Sequence, residues 1–417
     1  MIVDAFSSGA LLAPALRARG FGTLHVQSSN RLDSSLTRGL VPGDFEHCVD
    51  YASMGHAGTV EFLRRFPVAA VLPGCDPGVI AADRLAADLG VERNCAQTVL
   101  ARRSKYAMNE AVRAGGLRAA RQIKSAALQE VLCWYDHQPF GKVVVKPEYA
   151  ARSQGVSLCD DRTALARAFD TTIGTTNLFG ITNSELVVQE YLPGPEYMVN
   201  TMSVAGRHFI TDMWLGVDTD EEEISTDLYA ELVHPGGECH SAVAEYVRAV
   251  LNCTGVDTGP AHVEVRYTPA GPALVELGAR LLGALSPRSV HRATGFDPIE
   301  LTVDAYVAPS AALQALQAPT AGSAGRHARF VYFHSDYGGT VTSRPDLSGM
   351  YSLESVQEVL LAVRQGDYLQ PTADSVGRPG YAYLVHENPR QLQRDYERFR
   401  MLEQELYRAM LGVGGAH

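Results

Sequence analysis

Residues 262–280 read HVEVRYTPAGPALVELGAR. Two alternating runs flank a turn through Pro269, Ala270 and Gly271, which is the pattern of a β-hairpin. With the midpoint of the turn at Ala270, Glu264 and Glu276 are predicted to face one another across the ladder. Strand alternation then sorts the neighbours. His262, Glu264 and Arg266 share a face with Glu276, Gly278 and Arg280, whereas Val263, Val265, Tyr267, Val275, Leu277 and Ala279 share the other. One face is core and the other is a concentrated polar site. Opposed carboxylates with Cβ atoms about 5 Å apart repel unless a cation lies between them. Two carboxylates with oxygens to spare suit Mg²⁺ when it also binds nucleotide phosphates. The same spacing fits a solvent-facing hairpin whose acids pair with Arg266 and Arg280.

Upstream, a strand over Lys142 to Lys146 ends in Lys146-Pro147 and runs into the polar loop Glu148 to Ser157. A lysine in that position can present a point charge to a phosphate while backbone N–H groups close over it. Next comes VVQEYLPGPEY, residues 187–197, in which two apolar strands meet at a Pro-Gly bend bracketed by Glu190 and Glu196. The bend is either a plain hairpin or a place where a purine meets backbone groups and a ribose meets a carboxylate.

Taken in order, four segments resemble the ATP-grasp superfamily: Ser104-Lys105-Tyr106 opening a helix that closes at Gly115 to Leu117, VVVKP (143–147), VVQEYLPGPEY (187–197), and HVEVRY with VELGARLLGA (262–267, 275–284). The resemblance spans roughly residues 100–305 and implies an α/β architecture. Its parts are a Rossmann-like N-terminal βα domain (1–95), a linker helix (96–118), an ATP-grasp fold in two subdomains (119–190 and 191–308), and a C-terminal αβ domain (326–417). It also implies roles. ATP is held by Lys105, Lys146, Ser153, Gln189, Glu190, Tyr191, Leu192 and Glu196, with the hinge strand on adenine and Glu196 on ribose. Mg²⁺, with Mn²⁺ as a substitute, is held by Glu264 and Glu276. Arg280 and Lys146 serve catalysis, and His234, Arg288 and His291 line the substrate pocket.

The sequence departs from the family pattern in two places. Ala150 to Gly155 holds one glycine where many members have a glycine-rich loop, and Gly278 stands where the biotin carboxylase branch has an asparagine metal ligand. The ELGAR run followed by Leu281-Leu282-Gly283 is similar instead to the L-amino-acid ligases, dipeptide synthetases that join a carboxylate to an amine through an acyl phosphate. The implied partners are small molecules, an amino acid carboxylate and an amine, and the implied assembly is a homodimer. A biotin-carboxylase-like enzyme and a non-catalytic ATP-binding protein are the competing readings.

Composition agrees with a small-molecule enzyme. The chain has 417 residues, too many for one core, and 36 Lys plus Arg against 47 Asp plus Glu leave a net charge of −11, which disfavours nucleic acid or an anionic membrane as partner. The seven cysteines are scattered without metal-binding spacing, no apolar run approaches the roughly 20 residues of a membrane helix, and Met1-Ile2-Val3-Asp4 is not the start of a signal peptide, so a cytoplasmic location is expected. The first hundred residues read as a βα repeat with parallel strands at Met1 to Ala5, Thr23 to Gln27 and Ala69 to Leu72. Without a GxGxxG turn, the repeat gives no support to a nicotinamide-dependent dehydrogenase. The loop Pro73 to Gly78 follows a strand and either faces a ligand or only punctuates. Asp218 to Glu223, five carboxylates in six positions, reads as a solvated loop or a selector of cationic substrates, and Pro309 to Gly325 as a linker or loose surface helix.

Overall fold

Short β-branched runs separated by capped helices build two units in a computed structural model that describes residues 1–37, 39–217, 228–318, 325–372 and 377–412. The first unit comprises Met1–Met213, His234–Leu285 and Asp297–Ala318; the second comprises Trp214–Val233, Ser286–Phe296 and Pro319–His417. The acidic run Asp218 to Glu223 lies outside the described residues.

The first unit opens with parallel strands β1 (Ile2–Val3), β2 (Leu24–Gln27), β3 (His47–Asp50) and β4 (Leu72–Pro73) in the order β3-β2-β1-β4. Helices α1 (Leu12–Ala18), α2 (Ser34–Thr37), α3 (Tyr51–Leu63) and α4 (Val79–Leu89) alternate with them. Val3, Val26, Val49, Leu63 and Leu85 share one apolar core. The chain leaves β1 toward β2 on one side and returns to β4 on the other, so the carboxyl ends of β1 and β4 form a topological switch point, where open α/β sheets bind ligands. Gly9 after β1 and Gly74 after β4 pack backbone to backbone with no room for a Cβ, which draws the two loops together.

A 3₁₀ turn at Ala96–Arg102 leads into α5 (Lys105–Ala114), capped by Ser104, whose Oγ accepts from the Ala107 N–H at 3.0 Å. Four antiparallel strands follow: β5 (Gln122–Ser125), β6 (Val143–Pro147), β7 (Ser157–Cys159) and β8 (Leu186–Glu190), ordered β5-β8-β6-β7. Helices α6 (Leu128–Asp136) and α7 (Arg162–Thr172) cover one face through Val131, Leu165 and Phe169, leaving the other face available. A second antiparallel group runs β13-β12-β9-β10, with β9 (Glu196–Val204), the first part of β10 (Arg207–Val217), β12 (Gly259–Thr268) and β13 (Gly271–Gly278); α8 (Glu238–Thr254) and α10 (Pro298–Val307) pack against it. The segment after Ala308 is an ordered helix, α11 (Pro309–Gln317), that buries Ala312 and Leu316 at a spacing of four, so its Ala- and Gln-rich composition encodes a packed face.

In the second unit the end of β10 pairs with β11 (Tyr229–Leu232), followed by β14 (His327–Tyr332), β18 (Gly380–His386) and β16 (Val356–Leu361). A two-stranded ribbon, β15 (Gly339–Thr340) with β17 (Tyr368–Leu369), and helices α9 (Pro287–Thr294), α12 (Ser348–Tyr351) and α13 (Pro389–Leu411) complete it. Its core gathers Val331, Phe333, Leu384, Phe399 and Tyr407.

Candidate active site

The hairpin sets the site. Glu264 pairs with Glu276 and His262 with Gly278, as the midpoint of the turn predicts. Beyond that point the register shifts by one, with Val265 opposite Leu274 and Thr268 opposite Gly271. The extra residue is Val275, a β-bulge. This corrects one expectation: Val275 does not join Val263 and Leu277 in the core but packs with Leu192, Ala273 and Ala120, on the side that carries Glu276. The bulge also turns the Val275 carbonyl toward Lys146, whose Nζ lies 3.5 Å away.

Cations gather at the carboxylate pair. Ser104 ends the approach to α5, so Lys105 projects from the first turn, where its Nζ meets Glu276 Oε1 at 2.5 Å and the Ala150 carbonyl at 3.0 Å. Lys146, at the end of β6, is buried, and that burial together with the charge of Lys105 lowers its pKa to about 8. Glu264 is held below its ordinary value: enclosure would raise it, but the hydrogen bond and charge of His262, with Lys105 and Arg280 beyond, outweigh that penalty. His262 bridges Glu264 Oε1, at 3.5 Å, to Asn200 Oδ1, at 2.9 Å, and Asn200 donates to Asp212 at 2.5 Å.

Arg280, just past β13, is clamped by a residue of the loop Pro73 to Gly78, which the sequence left open between facing a ligand and punctuation. Its Nε and Nη2 donate to Asp76 Oδ2 at 3.0 and 2.8 Å, and Asp76 comes from the switch-point loop after β4. Burial pushes the Asp76 carboxyl up, yet Arg280 and then Arg103 hold it below the usual range. Gly278 makes the pairing possible, because a Cβ there would lie 3.0 Å from Arg280 Cζ and 3.2 Å from Asp76 Oδ1. An asparagine at 278 would therefore displace the clamp.

The remaining expected nucleotide contacts line β8 and the bend after it. The Gln189 amide donates to Gln122 at 2.8 Å and Glu190 pairs with Arg118 at 2.9 Å, so both side chains are engaged within the protein. Leu192 is buried in the small apolar group with Ala273 and Val275, a floor of the kind a flat base needs. Glu196 is held by Arg266 Nε at 2.9 Å, and the Arg266 guanidinium lies over the Tyr191 ring at 5.8 Å from its centroid. Ser153 stands in the loop after β6, where Arg152 and Ser153 adopt positive φ of 56° and 54° beside Gly155 at 71°. Non-glycine residues in that region are strained, a state that collects at ligand-gripping loops.

His234 is exposed on the loop after β11, in the first unit. Arg288 and His291 occupy exposed positions on α9 of the second unit. Two carboxylates offer the hard oxygen ligands that Mg²⁺ takes, and among the described residues no group of three or more His, Cys, Asp or Glu could hold a metal. The donor set thus fits a cation whose other ligands are phosphate oxygens and water.

Residues 140–287 match the family model described as an ATP-grasp domain. That stretch is an ATP-grasp domain. The chain is 28% identical over 414 residues to dapdiamide A synthase of Enterobacter agglomerans, spanning 98% of this chain and 96% of that one. Among solved structures, the L-amino acid ligase from Bacillus licheniformis superimposes with a TM-score of 0.76 at 18% identity, covering 96% of both chains. The biotin carboxylase domain of Hydrogenobacter thermophilus 2-oxoglutarate carboxylase gives a TM-score of 0.61 at 12% identity over 93% of this chain and 86% of that one. At these identities the solved structures speak to the fold, and an ATP-grasp fold is what they share with this chain. No helix among the described residues is long and apolar enough to cross a membrane.

Proposed function

We propose that the protein is an ATP-dependent, ADP-forming ligase that activates the carboxylate of an amino acid as an acyl phosphate and couples it to the amine of a second amino acid or amino compound. The observation that carries this reading is the charge cluster around the hairpin: Glu264 opposite Glu276, with Lys105 on Glu276 and Arg280 held alongside by Asp76. Such a cluster neutralises and positions, and it suits phosphoryl transfer, in which charge spreads over oxygens and no nucleophilic side chain is needed. Near-full-length similarity to an amide-forming synthase supports the ligase over the carboxylase.

Lys105 and Lys146 hold the nucleotide phosphates, and the Leu192, Ala273 and Val275 floor receives the base. Glu264 and Glu276 would hold a divalent cation, which neutralises phosphate charge when bound. A substrate carboxylate oxygen attacks the γ-phosphorus and ADP leaves. The amine then attacks the acyl carbon, loses a proton, and phosphate departs with its oxygen. Arg280, fixed by Asp76, stabilises the oxyanion of that second step through its planar fork. His234 is proposed to contribute to the substrate pocket.

The test is a phosphate-release screen against pairs of L-amino acids, with mass spectrometry of the products. Release that requires both an acid and an amine, with one amide formed per ADP, is expected. Bicarbonate-dependent cleavage, or no release from any pair, would overturn the reading. Arg280→Lys should lower turnover by about 10²-fold, and near-normal turnover would remove Arg280 from the mechanism.

A further inference from the structure

Two consecutive arginines precede the Ser104 cap, both are buried, and their surroundings differ. Arg102 is fully enclosed and its nitrogens are committed. Nε and Nη2 donate to Asp83 at 2.9 and 2.7 Å, Nη1 to Thr98 Oγ1 and to the carbonyls of Thr254 and Gly255, and Nη2 to the carbonyl of Cys95. That is the bonding of an arginine that holds a scaffold together. Arg103 is only 5% exposed, yet its Nη2 has no hydrogen-bond partner among the described residues. Its guanidinium instead lies over the rings of Phe179 and Tyr149, 4.7 and 5.5 Å from their centroids. Ring faces attract the cation but take no in-plane N–H, so an edge of the planar fork is left for an acceptor.

A buried, charged donor without an acceptor is costly and calls for an explanation: Arg329 in the second unit also leaves two nitrogens unmet but has Glu231 at 3.7 Å, whereas Arg103 has no carboxylate so close among the described residues and a ligand can supply its acceptor. The location is that of the site. Tyr149 precedes Ala150, whose carbonyl holds Lys105, and the charge of Arg103 reaches Asp76, the carboxylate that clamps Arg280. The anions of the reaction sort themselves among the cations. The phosphates have Lys105, Lys146 and the divalent cation that Glu264 and Glu276 would hold. The carboxylate under activation loses its charge as the acyl phosphate forms and then meets Arg280. One further anion is present when the amine comes from an amino acid: that amino acid's own carboxylate, ionised throughout. A guanidinium packed over two rings with an unmet nitrogen suits a charge-assisted bond to such a group.

We propose that Arg103 binds the free carboxylate of the amine-donating substrate, so that the protein selects amino acids over simple amines at that position. The inference rests on the ligase reading. It is tested by measuring phosphate release with the twenty standard L-amino acids as amine donors and with their primary amides, at saturating ATP and acyl donor. Wild-type protein should prefer free acids. Arg103→Met, which keeps an unbranched chain against the rings, should raise KM for the free acid about 30-fold, the scale of a lost charge-assisted pair, and leave KM for the amide and for ATP within about twofold. Arg103→Lys should fall between the two and carries the test where the methionine variant melts early. Equal rises for acid and amide, a rise in KM for ATP alone, or a wild type that does not distinguish acid from amide would each overturn the proposal. ATP cleavage with no pair at all would defeat the ligase reading itself, whereas an active enzyme with unchanged selectivity defeats only the role of Arg103.

Discussion

Both units bury charge, but the cluster around Arg400 in the second spends its hydrogen-bonding capacity more fully than the cluster around Lys146 and Arg103 in the first. In the second unit, Arg400 Nη1 reaches Glu403 at 2.6 Å and the Tyr332 carbonyl at 2.8 Å, Nη2 reaches the Leu228 carbonyl at 2.5 Å, and Nε reaches the Tyr396 hydroxyl at 3.2 Å. The other oxygen of Glu403 accepts from the His334 N–H at 2.7 Å and the Tyr407 hydroxyl at 2.8 Å. In the first unit the buried Lys146 ammonium, with three donors, has the Val275 carbonyl at 3.5 Å, and Arg103 keeps an unmet nitrogen. The saturated cluster ties β14 and α13 together. The unsaturated one is the proposed binding site, where ATP and substrate oxygens would supply the missing acceptors.

Four measurements break or sharpen that contrast. Glu276→Gln should lower turnover by about 10³-fold, since it removes the proposed cation ligand and the partner of Lys105, while the urea midpoint moves little. Unchanged turnover would place the hairpin acids with the scaffold. Glu403→Gln should do the reverse. It leaves Arg400 half-paired in the core and should cost about 3–5 kcal/mol in urea unfolding, with turnover per folded molecule within about twofold of wild type. Gly278→Asn should cut kcat/KM about 10- to 100-fold by parting Arg280 from Asp76, and full activity would show that the clamp is dispensable.

The smallest effect is one of pH. Lys146 titrates near 8, so KM for ATP should rise up to about tenfold between pH 8 and 9 as its charge is lost, and Lys146→Met should abolish that slope. Stability moves in the opposite sense. A lysine whose folded pKa lies below its unfolded value of 10.5 binds fewer protons when folded, so the nucleotide-free protein should gain stability as pH climbs from about 8 toward 10.5. A flat stability profile across that window would mean that the ammonium is better solvated than its surroundings indicate.

Much of the charge cluster proposed as the site could be read from the sequence because its residues flank short, strongly patterned elements. Lys105 follows a serine cap, Lys146 ends a valine strand, and Glu264 and Glu276 are equidistant from a turn. The bulge could not be read from alternation, since Val275 is a residue that strands favour. Its trace is arithmetic. A two-residue turn closed by Thr268 and Gly271 cannot be in regular register with a Glu264–Glu276 pair, because their midpoints differ by half a residue. Asp76 and Asn200 could not be found because their partners lie 204 and 62 residues away. The edge strand β3, HCVD, escaped because it is short and half exposed, with no alternation to betray it.

The half-residue offset at Val275 has a consequence for anyone who transplants this hairpin. A graft from a regular hairpin would match the turn or the acids, but not both. Aligned on the turn, the donor's second carboxylate would fall at position 275, one residue short of Glu276. Aligned on the acids, the loop would be one residue too long or too short. Single-residue insertions and deletions between Gly271 and Val275 therefore act as a switch of side-chain parity, and a sequence alignment that slides a gap through that stretch decides which residue is credited with holding the metal.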